Sequence, residues 1–154
     1  MASTRGTAVL DRLGVGYEPH PYEHAVKGAA FAANALGIDP ARLAKTLVVA
    51  VDGTPVFVLV PGDRELSLKA LARLAGGRSA ALVEQREAER LTGYRVGGIS
   101  PFGARRALPV YAERTFLEHD RVALNGGARG LIIELERDDL VRVLEPTVGD
   151  LAEA

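Results

Sequence analysis

The sequence predicts a single α+β domain over residues 1–154, built on a mixed, partly closed, barrel-like sheet with helices packed on it. Three observations predict it. Val-rich runs at residues 46–51 and 55–60 flank Asp52-Gly53, and a later apolar pair at 121–124 and 131–135 flanks a turn opened by Asn125-Gly126; both dipeptides suit antiparallel hairpins. Helix-period segments are interspersed with the strands without forming a strict βαβ series, which speaks against a doubly wound sheet. The composition, 47% hydrophobic and 25% charged over 154 residues, suits a globular chain that buries a continuous core without staples.

Each element has its own signal. A first helix runs from Ser3 or Thr4 to about Leu13, with Ala8, Val9, Leu10 and Leu13 as its apolar stripe and Gly14 or Gly16 to end it. Residues 17–22 carry Pro19 and Pro21 and are extended, as in an edge strand. Residues 29–36 form a small-residue helix stopped by Gly37. After the 46–60 hairpin, Pro61-Gly62-Asp63 breaks the chain and Ser67 caps a helix through Ala75. Residues 80–83 are a short strand, 84–91 a charged helix ending before Gly93, and 97–109 a loop with little periodicity. Residues 110–111, 121–124 and 131–135 are strands, and 138–144 a final helix.

Several function classes are excluded at once. There is no Walker A sequence, no G-x-G-x-x-G between a strand and a helix, and no G-x-S-x-G elbow. Cysteine is absent, which removes disulfides, a thiolate nucleophile and cysteine metal sites and fits a cytoplasmic protein. The N-terminus lacks the apolar run of a signal peptide, and no stretch is long enough to span a bilayer, so no membrane partner is expected. His20 and His24 are four apart, but two prolines preclude a helix there, and on a strand the pair lies too far apart for one ion. No metal and no cofactor is expected.

Net charge is −1, which does not announce nucleic-acid binding. Its distribution is uneven. Residues 76–114 carry seven Arg against four Glu, whereas residues 115–154 carry four Arg against nine acids. A basic middle could place one face on an RNA backbone, or both segments could be solvated surface.

Three segments could carry chemistry. Lys45 precedes the buried-strand run Thr46-Leu47-Val48-Val49-Ala50-Val51. It can aim its ammonium into a cleft, although a lysine snorkelling to solvent is the commoner outcome of that spacing. Gly97-Gly98-Ile99-Ser100-Pro101-Phe102-Gly103 could present bare amides to an oxyanion, or be a surface turn. Asn125-Gly126-Gly127-Ala128-Arg129-Gly130 could be a hairpin turn alone, or a turn with a phosphate or ribose contact from Arg129.

Taken in order, these segments resemble the YbaK/prolyl-tRNA-synthetase-associated editing family. The resemblance rests on Tyr22-Glu23-His24, Lys45-Thr46-Leu47, the block from Thr92 through Gly103, Leu108-Pro109, and Gly126 through Gly130 followed by Ile133-Glu134-Leu135. It implies a YbaK-like fold and hydrolysis of the ester joining a wrong amino acid to the 3′-terminal adenosine of tRNA, with Cys- or Ala-tRNA(Pro), or Cys-tRNA(Cys), as substrate. It implies that Lys45 and Gly98 are catalytic. It also implies that Tyr22, Thr46, Gly97, Ile99, Ser100, Pro101, Asn125, Gly126, Gly127, Arg129 and Ile132 surround the aminoacyl-adenosine, and that prolyl-tRNA synthetase is a candidate partner. The alternative is a non-catalytic module that binds tRNA or a synthetase. One departure bears on specificity: some cysteinyl-tRNA deacylases of this kind carry an acidic residue where this chain has Ile132.

Overall fold

Strand β3 (Thr54–Pro61) buries six of its eight residues, and the larger sheet is assembled around it. The structure is a computed structural model that describes residues 3–23 and 29–154. His24 lies outside the described residues. Strand β2 (Ala44–Val51) returns on β3 through the Asp52-Gly53 turn, pairing Ala44 with Pro61 and Val51 with Thr54. Asp52 and Gly53 both adopt positive φ there, 48° and 85°, the geometry that a two-residue hairpin turn demands.

Among the described residues, eight strands form two sheets. The five-stranded sheet has the order β4–β2–β3–β5–β8, with β4 (Ala80–Leu82), β5 (Val110–Glu113) and β8 (Thr147–Gly149). The three-stranded sheet has the order β1–β7–β6, with β1 (Glu18–Pro21), β6 (Arg121–Asn125) and β7 (Leu131–Glu136). The helices among the described residues are α1 (Arg5–Arg12), α2 (Ala29–Leu36), α3 (Leu68–Leu74), α4 (Gln85–Thr92) and α5 (Arg137–Leu144). Single 3-10 turns occupy Pro40–Arg42 and Arg114–Glu118.

Strand alternation divides the core. Ala44 and Val48 of β2 and Phe57 and Leu59 of β3 face Val122, Leu124, Ile133 and Leu135 of the smaller sheet in the largest buried cluster. The intervening residues, Val49, Val51, Val56, Val58 and Val60, pack on the other side with Leu71 of α3 and Leu151. Both faces of the hairpin are therefore covered, which is why its sequence is a continuous apolar run without alternation.

The mixed α+β expectation stands, with additions the sequence did not supply. β3 pairs with β5, and β5 with β8, in parallel. Such pairing needs a long crossover, and the β3–β5 connection carries α3, β4 and α4. β8 and the two 3-10 turns are further additions, too short to leave a periodic signal. The two sheets meet at one parallel bridge, Leu43 with Ala123.

The C-terminal segment is tied down by one buried carboxylate. Glu113 is 3% exposed. It accepts from Thr115 N–H (2.7 Å) and Thr115 Oγ1 (2.5 Å), and from the N–H groups of Leu151 (2.7 Å) and Ala152 (3.1 Å). Burial pushes its pKa up, but these donors outweigh burial and hold it below the ordinary carboxylate value. A depressed folded pKa contributes stability that is complete above the unfolded value and is lost as pH falls through the folded one. Glu113→Ala is expected to destabilise by about 3 kcal/mol, because it strands buried amides. Glu113→Gln is expected to flatten the acid limb of the stability–pH curve below about pH 4. Urea denaturation across pH checks both.

Candidate functional site

The cavity forms where β2 changes neighbours. At its start β2 lies beside β6, through Leu43 and Ala123. From Val49 onward the same edge pairs with β4, and Val48 C=O accepts from Val83 N–H at 3.0 Å. In the gap between these attachments, Thr46 turns its backbone N–H and C=O the same way as Val48 does, toward the open edge. The cavity there is about 450 Å³. Its floor is Lys45, Thr46, Leu47 and Val48. One wall is Leu82 of β4, Val83 after it, and Gln85 and Ala88 of α4, and the other is Tyr22, Ala29, Ala32 and Ile132. Val96, Gly97, Ile99 and Asn125 close it.

Lys45 and Thr46 supply contrasting polar groups. Lys45 Nζ stands 3.4 Å from the exposed carboxylate of Glu65, with about a quarter of the side chain open to solvent. A pair so placed is weak, and it leaves the ammonium free to turn to a ligand. Thr46 Oγ1 is buried with no hydrogen-bond partner in the described structure. Buried hydroxyls are nearly always satisfied, and this unpartnered one belongs to a residue that lines the cavity.

Tyr22 enters from the end of β1, with its N–H donating to Gly130 C=O at 2.9 Å. Its ring lies tilted at 52° to Phe31, centroids 6.4 Å apart. Burial raises its pKa, partly offset by a hydrogen bond with the Gly130 backbone; it is a neutral phenol at physiological pH. Ile132 is 3% exposed and packs with Ala32, Leu43 and Ala123 while also forming part of the cavity wall.

Of the residues expected at the site, Tyr22, Lys45, Thr46, Gly97, Ile99, Asn125 and Ile132 come together around this cavity. Gly98, Ser100, Pro101, Gly126, Gly127 and Arg129 stand behind its wall, and the expectation of bare amides needs correction there. Gly98 N–H donates to Arg95 C=O at 2.8 Å, and Gly126 N–H to Leu131 C=O at 3.0 Å. Gly127 N–H donates to Asn125 Oδ1 at 2.7 Å. Arg129 Nε donates to Val96 C=O at 2.9 Å, which ties that nitrogen to the loop. Ser100 is fully buried and accepts from Phe102 N–H at 3.1 Å. Among the described residues the amides of Gly97 and Ile99, both at the cavity, find no acceptor.

Asn125 explains the shared architecture. Its Nδ2 donates to Gly97 C=O (3.0 Å) and Ala128 C=O (3.1 Å), while Oδ1 accepts from the N–H groups of Gly127 and Ala128. The 97–103 loop and the 125–130 turn are thereby one unit. α1 supports it from below, with Thr4 Oγ1 donating to Gly126 C=O at 2.5 Å.

The residues of α2, β4 and α4 at the cavity were missed by sequence reasoning. Their only signal was Ala88, a small residue on the buried face of a charged helix.

Elsewhere, Glu18, His20 and Glu134 bring ligand atoms within 4.8 Å of one another. Glu134 already accepts from His20 (2.9 Å), Arg42 (2.8 Å) and Arg121 (3.2 Å). Two guanidinium groups on one carboxylate disfavour a metal cation, and the cluster pins β1 and the 3-10 turn to β7 instead.

Comparison with known proteins follows this geometry. Residues 23–143 match the model of the aminoacyl-tRNA editing domain. The chain belongs to the aminoacyl-tRNA editing domain family. It is 35% identical over 122 residues to EbsC of Enterococcus faecalis, named as a candidate Cys-tRNA(Pro)/Cys-tRNA(Cys) deacylase, covering 79% of this chain and 73% of that one. It is 38% identical over 85 residues to a proline–tRNA ligase of Maridesulfovibrio salexigens, covering 55% of this chain and 14% of the ligase. A crystal structure described as a candidate trans-editing enzyme for prolyl-tRNA synthetase superposes with a TM-score of 0.88 at 27% identity, covering 97% of this chain and 96% of that one. No helix among the described residues is long and apolar enough to cross a membrane.

Two substitutions separate cavity chemistry from loop packing. A Cβ on Gly98 would lie 2.8 Å from Arg129 N and 2.9 Å from Ala128 C. Gly98→Ala is therefore expected to cost about 1–3 kcal/mol by pushing the two loops apart, with activity falling as a consequence; thermal unfolding measures it. Thr46→Val removes an orphan polar atom and is expected to leave stability unchanged or raised by about 1 kcal/mol. The same change should slow turnover by about three- to tenfold, the worth of one hydrogen bond. Parallel melting and single-turnover assays check the pair.

Proposed function

We propose that this chain is a trans-editing deacylase that hydrolyses the ester between a mischarged amino acid and the 3′-terminal adenosine of tRNA. The whole of residues 1–154 is one editing domain, its two sheets read as a partly closed barrel on the strength of the Leu43–Ala123 bridge. The observation that carries the reading is the gap along β2, where a lysine ammonium, an unpartnered threonine hydroxyl and an unpaired strand edge converge in a mostly apolar cavity.

The chemistry follows from what lines the gap. Water attacks the ester carbonyl, the carbon–oxygen bond to the ribose breaks, and the ribose oxygen takes the proton that the water gives up; where a hydroxyl or thiol of the substrate attacks first and passes its proton to the ribose, water then opens the ester or thioester so formed. Negative charge builds on the carbonyl oxygen. Lys45 and the amides of Gly97 and Ile99 are the groups able to meet it. Thr46 and Tyr22 hydrogen-bond and orient the substrate, and Asn125 fixes the wall that Gly97 belongs to. Placement and electrostatics of this kind suffice for an activated ester.

The cavity also bears on which amino acid is removed. None of its lining residues among those described is acidic, and Ile132 with Ala32 and Ala88 offers a small apolar surface. This supports a small side chain such as alanine or cysteine, carried on proline tRNA as the kinship to EbsC and to proline–tRNA ligases suggests. Prolyl-tRNA synthetase is the natural partner in that setting, and the cytoplasm the place of action.

The test is a panel of Ala-tRNA(Pro), Cys-tRNA(Pro) and Cys-tRNA(Cys) incubated with the purified protein, scoring deacylation. Lys45→Ala is expected to lower the rate on the order of a hundredfold while the protein remains folded, because its exposed pair with Glu65 contributes little. Lys45→Arg should recover only part, since a planar fork replaces a point charge. A folded Lys45→Ala protein that deacylates at the parental rate would refute the site and favour a non-catalytic tRNA-binding module.

A further inference from the structure

We infer that the outer face of α4 and the loop after it form an arginine-lined surface that grips the RNA backbone next to the cavity mouth. This rests on the deacylase reading for what occupies the cavity, but the surface is argued from its own residues. Arg86 follows Gln85, and Arg95 precedes Val96; Gln85 and Val96 are both at the cavity. Arg105 and Arg106 are carried to the same place because their N–H groups cap the end of α4, bonding Thr92 C=O (2.8 Å) and Leu91 C=O (3.1 Å). Arg5 arrives from α1, its guanidinium on Gly93 C=O at 3.0 Å and over the Tyr94 ring.

With Arg90, this surface holds six exposed arginines. Its acids are Glu84, Glu87 and Glu89, so an excess of three positive charges gathers on a chain whose net charge is −1. Two of those acids are already engaged: Glu87 pairs with Arg90, and Glu89 accepts from Val96 N–H at 2.9 Å. Arg90 first, and Arg106 more weakly, hold Glu87 below the ordinary carboxylate range. Among the described residues, Arg86, Arg95, Arg105 and Arg106 form no ion pair.

Unpaired guanidinium groups beside an open cavity suit phosphates, which they bind in a planar fork. A polynucleotide whose 3′ end enters the cavity must lead its preceding phosphates out past the rim. The α4 side is the basic one. The 115–154 segment, with its excess of acids, would repel them.

The test combines Arg86→Ala, Arg95→Ala and Arg106→Ala in one full-length protein; none of the three lines the cavity. Binding of uncharged tRNA is expected to weaken at least about tenfold, with the slope of log affinity against log salt falling by about 1 for each phosphate that the variant no longer neutralises. In deacylation, KM for intact mischarged tRNA should rise while kcat stays within about twofold, and hydrolysis of a short 3′-aminoacyl-adenosine should be unchanged. Unaltered tRNA binding and salt slope would overturn the proposal, including the case in which the variant instead loses binding to prolyl-tRNA synthetase. Parental protein that binds tRNA through these arginines yet hydrolyses neither substrate would refute the deacylase reading and leave the surface standing.

Discussion

One edge of one strand governs this molecule. β2 has β3 along the whole of one side, but on the other it must be shared between β6 at its start and β4 at its end. Neither neighbour covers the middle. A strand buried on both faces yet open along part of one edge keeps polar backbone groups in an otherwise apolar place. Everything around the cavity either frames that opening or faces it. The hairpin's burial makes the opening rigid, and the loops and helices give it walls.

The same arrangement explains why Lys45 and Thr46 differ so much while adjacent. Alternation sends the lysine toward Glu65 and solvent and the threonine toward the buried side. One residue brings charge to the rim, and its neighbour brings a hydroxyl to the depth. No helix could separate two consecutive side chains so completely, since neighbours there diverge by about 100°.

Much of this was legible in the sequence where local chemistry decides structure. Asp52-Gly53 fixed the hairpin, Ser67 capped α3 through Ala70 N–H, and Gly93 ended α4 in a left-handed conformation at φ 78°. The parallel pairing of β5 was not legible, because it is set by its fit to β3, some fifty positions earlier, and leaves no pattern in a four-residue strand. The glycine-rich loops show the same divide. Their residues pointed to the site, but whether an amide is bare depends on an acceptor elsewhere in the chain. Gly98 and Gly97 are adjacent and alike in composition, yet one amide is spent on Arg95 and the other meets no acceptor among the described residues. The α4 wall was invisible for a related reason: Gln85 and Ala88 carry no motif, and matter only because β4 delivers them to the gap.

The clamp made by Asn125 gives the cavity two kinds of boundary. On the side of residues 97–99 and 125–130 the surface is largely main chain, held in shape by the four hydrogen bonds of the single Asn125 side chain. On the side of α2, α4 and Ile132 it is side chains of modest size on regular elements. Point mutation can rewrite the second boundary freely and the first hardly at all outside Asn125. A lineage built on this scaffold is thus free to drift in which amino acid it accepts while the geometry that meets the ester stays constant, so divergence in specificity should concentrate on α2, α4 and β7 and leave the two loops nearly unchanged.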